Sequence, residues 1–421
     1  MKLGLAAIGA ACERLGRPHE RLPSVLIGGT NGKGSTAAVL SAIARAGGIC
    51  AGLYTSPHLI SVTERVRIAE EDISEAELDG YLSRVFCAAD AAPEVPLTYF
   101  EAMTAAAFLA FAERELDLAI LEVGLGGRFD ATNIAPASLS AVTSVSLDHV
   151  EELGARLAAI AREKAGIFRR GRPALVHAIE REALDTLRAC AEESGALLHE
   201  VARETNLSDV RTGIEGTRFA LQTPDRRYAM FTPLPGLHQA SNVACAVRAS
   251  ELLAEVLPGL TPEAIAAGVA ATRWPGRLES LSAGGRLVLL DGCHNAEGAA
   301  ALARFLEAAG LAGSAGLIFG AMADKGIEAI AALLFPAVRR IVFVAAPGAR
   351  AAAPQELLRR AGPFHHDVSA AENLDAAVAR LLSLPGTDPI IVAGSLYLVG
   401  EARARLLARL SPTRKHEAPV P

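Results

Sequence analysis

At 421 residues the chain exceeds what one core usually organises, so two domains are expected, and a hydrophobic share of 51% is ample for buried sheets. A net charge of −6 with 5% aromatic residues argues against a nucleic-acid surface, so an anionic substrate needs local basic residues. The cysteines at 12, 50, 87, 190, 245 and 293 form no CxxC pair; they read as buried thiols in a reducing compartment, not as a disulfide framework or zinc site. No stretch approaches the roughly 18 consecutive apolar residues of a membrane span. The opening MKLGLAAIGAAC resembles a lipoprotein signal only superficially. Leu5, Ile8, Cys12 and Leu15 keep helical spacing across the supposed cleavage point, which predicts a helix packed beside the phosphate loop described next, in a cytoplasmic protein.

An apolar run, Val25-Leu26-Ile27, leads into the decapeptide IGGTNGKGST at residues 27–36, and an Ala-rich helical pattern leads out to Ala46. A glycine-dense turn between strand and helix presents backbone N–H groups to one point, where the helix dipole also favours negative charge. Gly29, Thr30, Asn31, Gly32, Lys33, Gly34, Ser35 and Thr36 are therefore candidate nucleotide contacts. Lys33 can reach a terminal phosphate, and the hydroxyl of Ser35 or Thr36 can ligate Mg²⁺. The pattern departs from the usual phosphate loop in two places. Three residues, not four, separate Gly28 from Gly32, and Gly34 stands where Ser or Thr is usual.

Further along, predicted strands 24–29, 49–55, 118–123, 140–146 and 173–178 alternate with helical patterns, notably 99–115 and 156–168. That alternation implies a mostly parallel α/β sheet with helices on both faces and ligands at the carboxyl ends of the strands. Between about 197 and 235 the rhythm changes to period two, which reads as a small antiparallel meander appended to that sheet. A long helix follows over about 238–256, then one opened by Thr261 as cap and Pro262 in its first turn. The segment Arg273–Arg277 reads as a hinge, giving an ATP-binding domain at 1–275 and a smaller Rossmann-like α/β domain at 276–421. Strands are predicted there at 286–291, 315–320, 340–345 and 389–393. There is no internal repeat, and the charged tail after Ser411 is expected to fray.

Several strand ends carry chemistry. Glu122 closes an apolar strand before the glycine-rich turn GLGGRFD, where a carboxylate suits Mg²⁺ beside phosphates. His149, after the next strand, serves equally as a core hydrogen-bonding group or as a metal ligand. Thr55-Ser56-Pro57-His58 can offer a hydroxyl to metal or phosphate, or form an ordinary turn. Lys164 is either half of a surface ion pair or a buried amine that reacts with CO₂ to give an oxygen-ligating carbamate. In the second half, Asp291-Gly292-Cys293-His294-Asn295 and Gly394-Ser395-Leu396-Tyr397 end strands and, with Arg277, could close over a nucleotide.

Taken in order, GGTNGKGS, YTSPHL, LTYFEAMTAAAF, LEVGLGGRFDATN, SLDHVEELG, IAREKAGIF, GLHQASNVACAV, WPGRLE, DGCHN and GSLY resemble the folylpolyglutamate synthase and dihydrofolate synthase family of Mur-type ATP-dependent ligases, from about Leu3 to Leu398. The resemblance implies a phosphate-loop domain followed by a Rossmann-like domain. It implies ATP together with two Mg²⁺ ions, held by Ser56, Glu122, His149 and a carbamylated Lys164. It implies nucleotide contacts from Asn242, Arg277, Asp291 and His294, with Ser395 at the nucleotide or the closing interface, and Phe100 and Asp130 lining the pterin pocket. The sequence differs from the family pattern at Cys293, Ala296 and Gly326, and starts without a segment that can contribute to the pterin site in many relatives. The implied reaction adds L-glutamate to dihydropteroate and to reduced folates through an acyl phosphate, in a monomer without nucleic-acid or membrane partners. The alternatives are a folylpolyglutamate synthase alone, another Mur-type amino-acid ligase, or a nucleotide-gated binding module.

Overall fold

The structure, a computed structural model, describes residues 4–148, 154, 156–177 and 180–410. The chain parts into two compact units between Trp274 and Pro275, and each is described by itself.

In the first unit the apolar runs fold as β1 (Ser24–Gly28), β2 (Ala51–Tyr54), β3 (Val66–Ile68), β4 (Glu71–Asp72), β5 (Leu118–Glu122), β6 (Leu139–Val142), β7 (Pro173–Val176) and β8 (Leu197–Glu200). They make one sheet of order β4-β3-β2-β5-β1-β6-β7-β8. From β2 to β8 in that order the neighbours run parallel, and β3 and β4 add an antiparallel edge. Every residue of β1, β5 and β6 is buried, because helices cover both faces, so these strands read as unbroken apolar runs.

The helices are α1 (Ala6–Arg14), α2 (Lys33–Ala46), α3 (Glu75–Asp90), α4 (Tyr99–Glu113), α5 (Leu157–Ala165), α6 (Arg181–Ser194), α7 (His238–Leu253) and α8 (Pro262–Ala271), besides shorter turns. On one face Ile8, Val85, Phe108, Ile160 and Leu187 share a core. On the other Val39, Val247 and Ile265 pack from α2, α7 and α8. Helix α4 starts with a capping box in which Thr98 and Glu101 satisfy each other's backbone N–H groups. Thr261 caps α8 as its sequence predicts.

Two expectations change. Helix α1 forms, but it packs on α3 and α4, on the opposite face of the sheet from α2, and not beside the phosphate loop. Helical spacing identifies an apolar face without saying what that face meets. The meander, β9 (Asn206–Gly213), β10 (Gly216–Gln222) and β11 (Arg227–Thr232), forms a sheet of its own and adds nothing to the main one. Alternate residues Phe219, Leu221, Tyr228 and Met230 press it onto the α7 side of the core. Buried Arg248 of α7 fastens it further, pairing with Asp225 at 2.9 Å and with Glu251 and Glu204.

The second unit contains β12 (Glu279–Ala283), β13 (Arg286–Asp291), β14 (Gly316–Phe319), β15 (Arg340–Phe343), β16 (Val368–Ala370) and β17 (Ile390–Ala393), ordered β12-β13-β17-β14-β15-β16. All neighbours are parallel except β12 with β13. Helices α9 (Ala296–Ala308), α10 (Ile327–Leu334), α11 (Pro354–Ala361), α12 (Leu374–Leu382) and α13 (Leu396–Leu410) accompany it. Its own core holds Phe319, Phe335 and Phe343 in mutual ring contact. The cysteine reading needs one correction: all six are free, but Cys50 and Cys87 are exposed. No helix among the described residues is long and apolar enough to cross a membrane.

Candidate active site

Strand β1 ends at Gly28 and α2 starts at Lys33, so residues 29–32 must turn the chain within four positions. Gly29 and Gly32 adopt φ of +143° and +84°. A Cβ on Gly29 would lie 2.1 Å from Thr143 Oγ1, and one on Gly32 would lie 2.4 Å from Asn242 Oδ1. Only glycine fits either place. Because Gly32 is the N-cap and has no side chain, no cap residue closes the first turn of α2, which leaves that turn suited to an anion.

The loop is laced to the end of β6. Thr30 N–H donates to Ser144 O and Asn31 N–H to Ser144 Oγ, both at 2.9 Å. Thr143 Oγ1 donates to Asn31 O at 2.6 Å, and Ser146 N–H to Thr30 Oγ1 at 3.1 Å. Sequence reasoning missed Thr143, Ser144 and Ser146. The hydroxyl-rich run TSVS was the only signal, and its meaning depends on β6 pairing with β1.

Lys33 Nζ donates to Gly29 O and Thr30 O, each at 3.0 Å, and so lies across the loop. Asn242, at the start of α7, stands against Gly32, and its Nδ2–H donates to Gln239 Oε1 at 2.9 Å. Ser35 is buried. Thr36 is buried completely, and its hydroxyl donates to the Asn242 carbonyl at 3.5 Å, linking α2 to α7.

Gly34 occupies the usual Ser/Thr position for a steric reason. A Cβ there would lie 2.9 Å from Trp274 Cζ2, and the Arg67 guanidinium covers the same indole 5.3 Å from its centroid. Gly34→Ser, which restores the common pattern, is therefore expected to destabilise the protein by about 1–3 kcal/mol. A urea midpoint equal to that of the parent protein would contradict this packing.

Strands β5 and β2 end beside the loop. Glu122 pairs in register with Ile27, and Ser56, just beyond β2, donates its N–H to Glu122 Oε2 at 3.1 Å. Glu122 is buried. The Ser56 segment is held by Glu64, whose carboxylate accepts the N–H groups of Leu59, Ile60 and Ser61 at 2.7–2.9 Å.

Lys164, on α5, is only 4% exposed. Burial, with a further contribution from the charge of Lys33, pulls its pKa down to about 7, against the opposing charge of Asp148. Lys33 and Asp148 thus each lie within electrostatic reach of Lys164, although Lys33 and Lys164 are far apart in sequence. The GLGGRF turn sets this up. A Cβ on Gly127 would lie 2.8 Å from Glu163 O, and Arg128 N–H donates to Glu163 O at 2.9 Å, so the end of α5 docks directly on the turn. Asn133 locks it by donating to Arg128 O and Gly166 O. His149 lies outside the described residues. Among the described residues no group of three or more His, Cys, Asp and Glu gathers, so the metal donors read from the sequence rest on Ser56, Glu122 and a modified Lys164.

Phe100, at the start of α4, is half-buried, with its ring 6.0 Å from that of Tyr54. It closes on Gly124, where an added Cβ would lie 2.7 Å from Phe100 Cζ and 3.2 Å from Asp130 Oδ2. The Asp130 carboxylate is taken up by its own turn. Oδ2 accepts the N–H groups of Gly124 and Leu125 at 2.9 Å, and Oδ1 accepts the N–H and hydroxyl of Thr132 at 3.0 and 2.6 Å. Burial still raises its pKa. Its visible role is to shape the glycine turn, while Phe100 presents the ring.

In the second unit, β13 and β17 pair Asp291 with Ala393, so their carboxyl ends bring Arg277, Asp291, His294 and Ser395 to one edge. Asp291 is buried; its oxygens accept Cys293 N–H at 3.0 Å and Leu278 N–H at 3.1 Å, and burial raises its pKa against the opposing charge of Arg277. His294 Nδ1 lies 2.9 Å from Gly292 O. Ser395 is buried, and its Oγ accepts Tyr397 N–H at 3.2 Å.

A phosphate loop at the centre of a mostly parallel sheet, with a carboxylate at the end of the adjacent strand and a buried lysine on α5, suits a Mur-type ATP-dependent ligase. Residues 27–250 match the Mur ligase middle domain, and residues 276–396 match the Mur ligase glutamate ligase domain. The chain is 35% identical over 413 residues to the dihydrofolate synthase/folylpolyglutamate synthase of Escherichia coli K12, covering 97% of this chain and 92% of that one. It is similar to a solved Mycobacterium tuberculosis folylpolyglutamate synthase complexed with ADP, with TM-score 0.88 and 32% identity over 96% of this chain and 94% of that one. It is also similar to a bifunctional folylpolyglutamate synthase/dihydrofolate synthase solved with Mn, AMPPNP and L-glutamate bound, with TM-score 0.82 and 31% identity over 97% of this chain and 95% of that one. The chain belongs to the folylpolyglutamate synthase/dihydrofolate synthase family.

Proposed function

We propose that this protein uses ATP to join the amine of L-glutamate to the carboxylate of dihydropteroate and to the γ-carboxylate of reduced folates. The observation that carries the reading is a buried Lys164 within electrostatic reach of the loop lysine, Lys33, together with buried Glu122 closing β5 next to β1 and accepting Ser56 N–H at 3.1 Å. Two amines within electrostatic reach of one another, one of them buried, favour an anion beside them.

A carboxylate is a poor electrophile toward an amine. Its attack on the γ-phosphate of ATP forms a C–O–P bond, breaks the bond to the β-phosphate oxygen, and releases ADP. The amine of glutamate then attacks the acyl carbon, and inorganic phosphate leaves with the original carboxylate oxygen. Such transfer needs chiefly alignment and neutralised charge. Lys33 and the first turn of α2 meet the phosphates. Phe100 stacks against the acceptor beside the turn that Asp130 shapes. The residues present fit a divalent cation, since Glu122 and Ser56 offer oxygen donors beside a cradle that only glycine permits. Bound there, Mg²⁺ would supply charge neutralisation for phosphoryl transfer. A second ion would need His149 and Lys164, the latter as the carbamate that a neutral Nζ forms with CO₂ by losing a proton. Arg277, Asp291, His294 and Asn242 are assigned to the nucleotide, and Ser395 to the acceptor side. The protein is proposed to act as a cytoplasmic monomer on small molecules, without nucleic-acid or membrane partners.

Substrate omission tests this reading. ADP release from the purified protein is expected to require both L-glutamate and a folate-type acceptor, with dihydropteroate and tetrahydrofolate each sufficient. Turnover with tetrahydrofolate alone would restrict the protein to tail lengthening. Nucleotide binding without glutamate-dependent ADP release would overturn the proposal.

A further inference from the structure

Glu279 is the most heavily engaged side chain of the WPGRLE segment. Its Oε2 accepts Gly276 N–H at 3.0 Å, and both its oxygens accept Arg403 Nε–H, at 3.0 and 2.9 Å. Arg403 lies on α13, 124 positions away in sequence. The backbone between is held from the other side as well. Gly276 O accepts Gly292 N–H at 2.9 Å, and Leu278 N–H donates to Asp291 Oδ2 at 3.1 Å.

The turn so clamped is an unfavourable one. Gly276 has φ of +74°, which suits glycine, but Leu278 has φ of +51° and is 1% exposed. A left-handed leucine persists only where its surroundings hold it. Here two carboxylates do so, Asp291 on the N–H of Leu278 and Glu279 on the N–H of Gly276. Between the two clamped residues stands Arg277. Its guanidinium lies over Gly292, where an added Cβ would come within 2.9 Å of Arg277 Nη1.

We propose that Glu279 and Arg403 are positioning residues for Arg277: their ion pair fixes the Gly276–Leu278 turn to α13 and so aims the Arg277 guanidinium at the nucleotide. The inference rests on the assignment of Arg277 to the nucleotide made above. The pair is charge-assisted and only about one-fifth exposed on either side chain, so it is strong enough to hold a strained turn. An apolar side chain at position 279 would leave Gly276 N–H without this acceptor and free the turn to relax.

The test is steady-state kinetics of ADP release by the full chain, with the Michaelis constants for ATP, L-glutamate and acceptor measured separately. Arg277→Ala is the reference variant. Arg403→Met and Glu279→Ala are expected to raise the ATP Michaelis constant about tenfold, the size of one lost charge-assisted contact, while those for glutamate and acceptor stay within twofold. Arg403→Lys is expected to recover most of the loss, and neither change is expected to add to Arg277→Ala. If Arg277→Ala raises the ATP constant and Arg403→Met does not, the positioning role is wrong. It is equally wrong if the effects add fully to those of Arg277→Ala or spread evenly over all three substrates. An ATP constant indifferent to Arg277→Ala removes Arg277 from the nucleotide and overturns the assignment itself. Because Arg403 is an outer partner, its Met and Lys variants decide the matter even where Glu279→Ala fails to fold.

Discussion

Lys33→Ala is expected to lower the rate of ADP formation by at least about a thousandfold, the scale of removing one preorganised charge partner from a phosphoryl-transfer site. The geometry explains why the loss should fall on the rate and not on the fold. Lys33 Nζ makes its two 3.0 Å bonds to carbonyls of its own loop, whereas the loop is tied to β6 independently through Thr30, Asn31, Thr143, Ser144 and Ser146. The melting temperature should therefore move by only a few degrees, the equivalent of about 1 kcal/mol. A second consequence follows from the charge. Lys33 helps to depress Lys164, so its removal should let the Lys164 amine hold its proton to higher pH. Turnover surviving in Lys33→Ala would take the lysine out of phosphate chemistry.

Lys164→Ala is expected to be inactive to within about one part in a hundred or less, and to regain part of its activity with a small carboxylic acid in the buffer. The added acid would supply the oxygens that the proposed carbamate is assigned. Full activity without it would dismiss the carbamate. The same residue carries a stability prediction of opposite sign. In the folded protein its pKa of about 7 lies below the ordinary value of 10.5. Between those values the unfolded chain binds the extra proton, so stability rises with pH across that window, and below about pH 7 the cost of burial is felt in full. Lys164→Met keeps the volume and removes the charge. Measured without metal or nucleotide, it should melt above the parent protein at pH 7, by an amount on the order of a few kcal/mol, with the gap closing toward pH 10. Differential scanning calorimetry at the two pH values would read it. A lower melting point at pH 7 would mean that Lys164 is not buried at a net cost.

Those two lysines illustrate what the sequence made legible. The phosphate loop was readable because its chemistry is local: glycines, a lysine and a strand-to-helix change occur within ten residues. Glu122 was readable because strand ends converge in any parallel sheet. Residues that act across the fold were not. Thr143 and Ser144 acquire meaning only when β6 lies beside β1, and the need for Gly34 appears only when Trp274 arrives from far down the chain. The meander shows the same limit. Period-two alternation identified strands over 217–231, but pairing partners are set by which apolar faces meet, and here the strands chose each other. Asp130 shows it too: its four bonds go to the N–H groups of Gly124 and Leu125 and to Thr132, a role in shaping the turn that residue type and spacing did not announce.

The central claim is that the acceptor carboxylate itself attacks ATP, and oxygen labelling tests it most directly. A reduced folate carrying ¹⁸O in both oxygens of its γ-carboxylate is incubated with the protein, ATP and L-glutamate in unlabelled water, and the inorganic phosphate is examined by mass spectrometry. The mechanism predicts that each turnover delivers one ¹⁸O to phosphate and leaves the other in the new amide. Product formation with unlabelled phosphate would show that no acyl phosphate forms and would contradict the account.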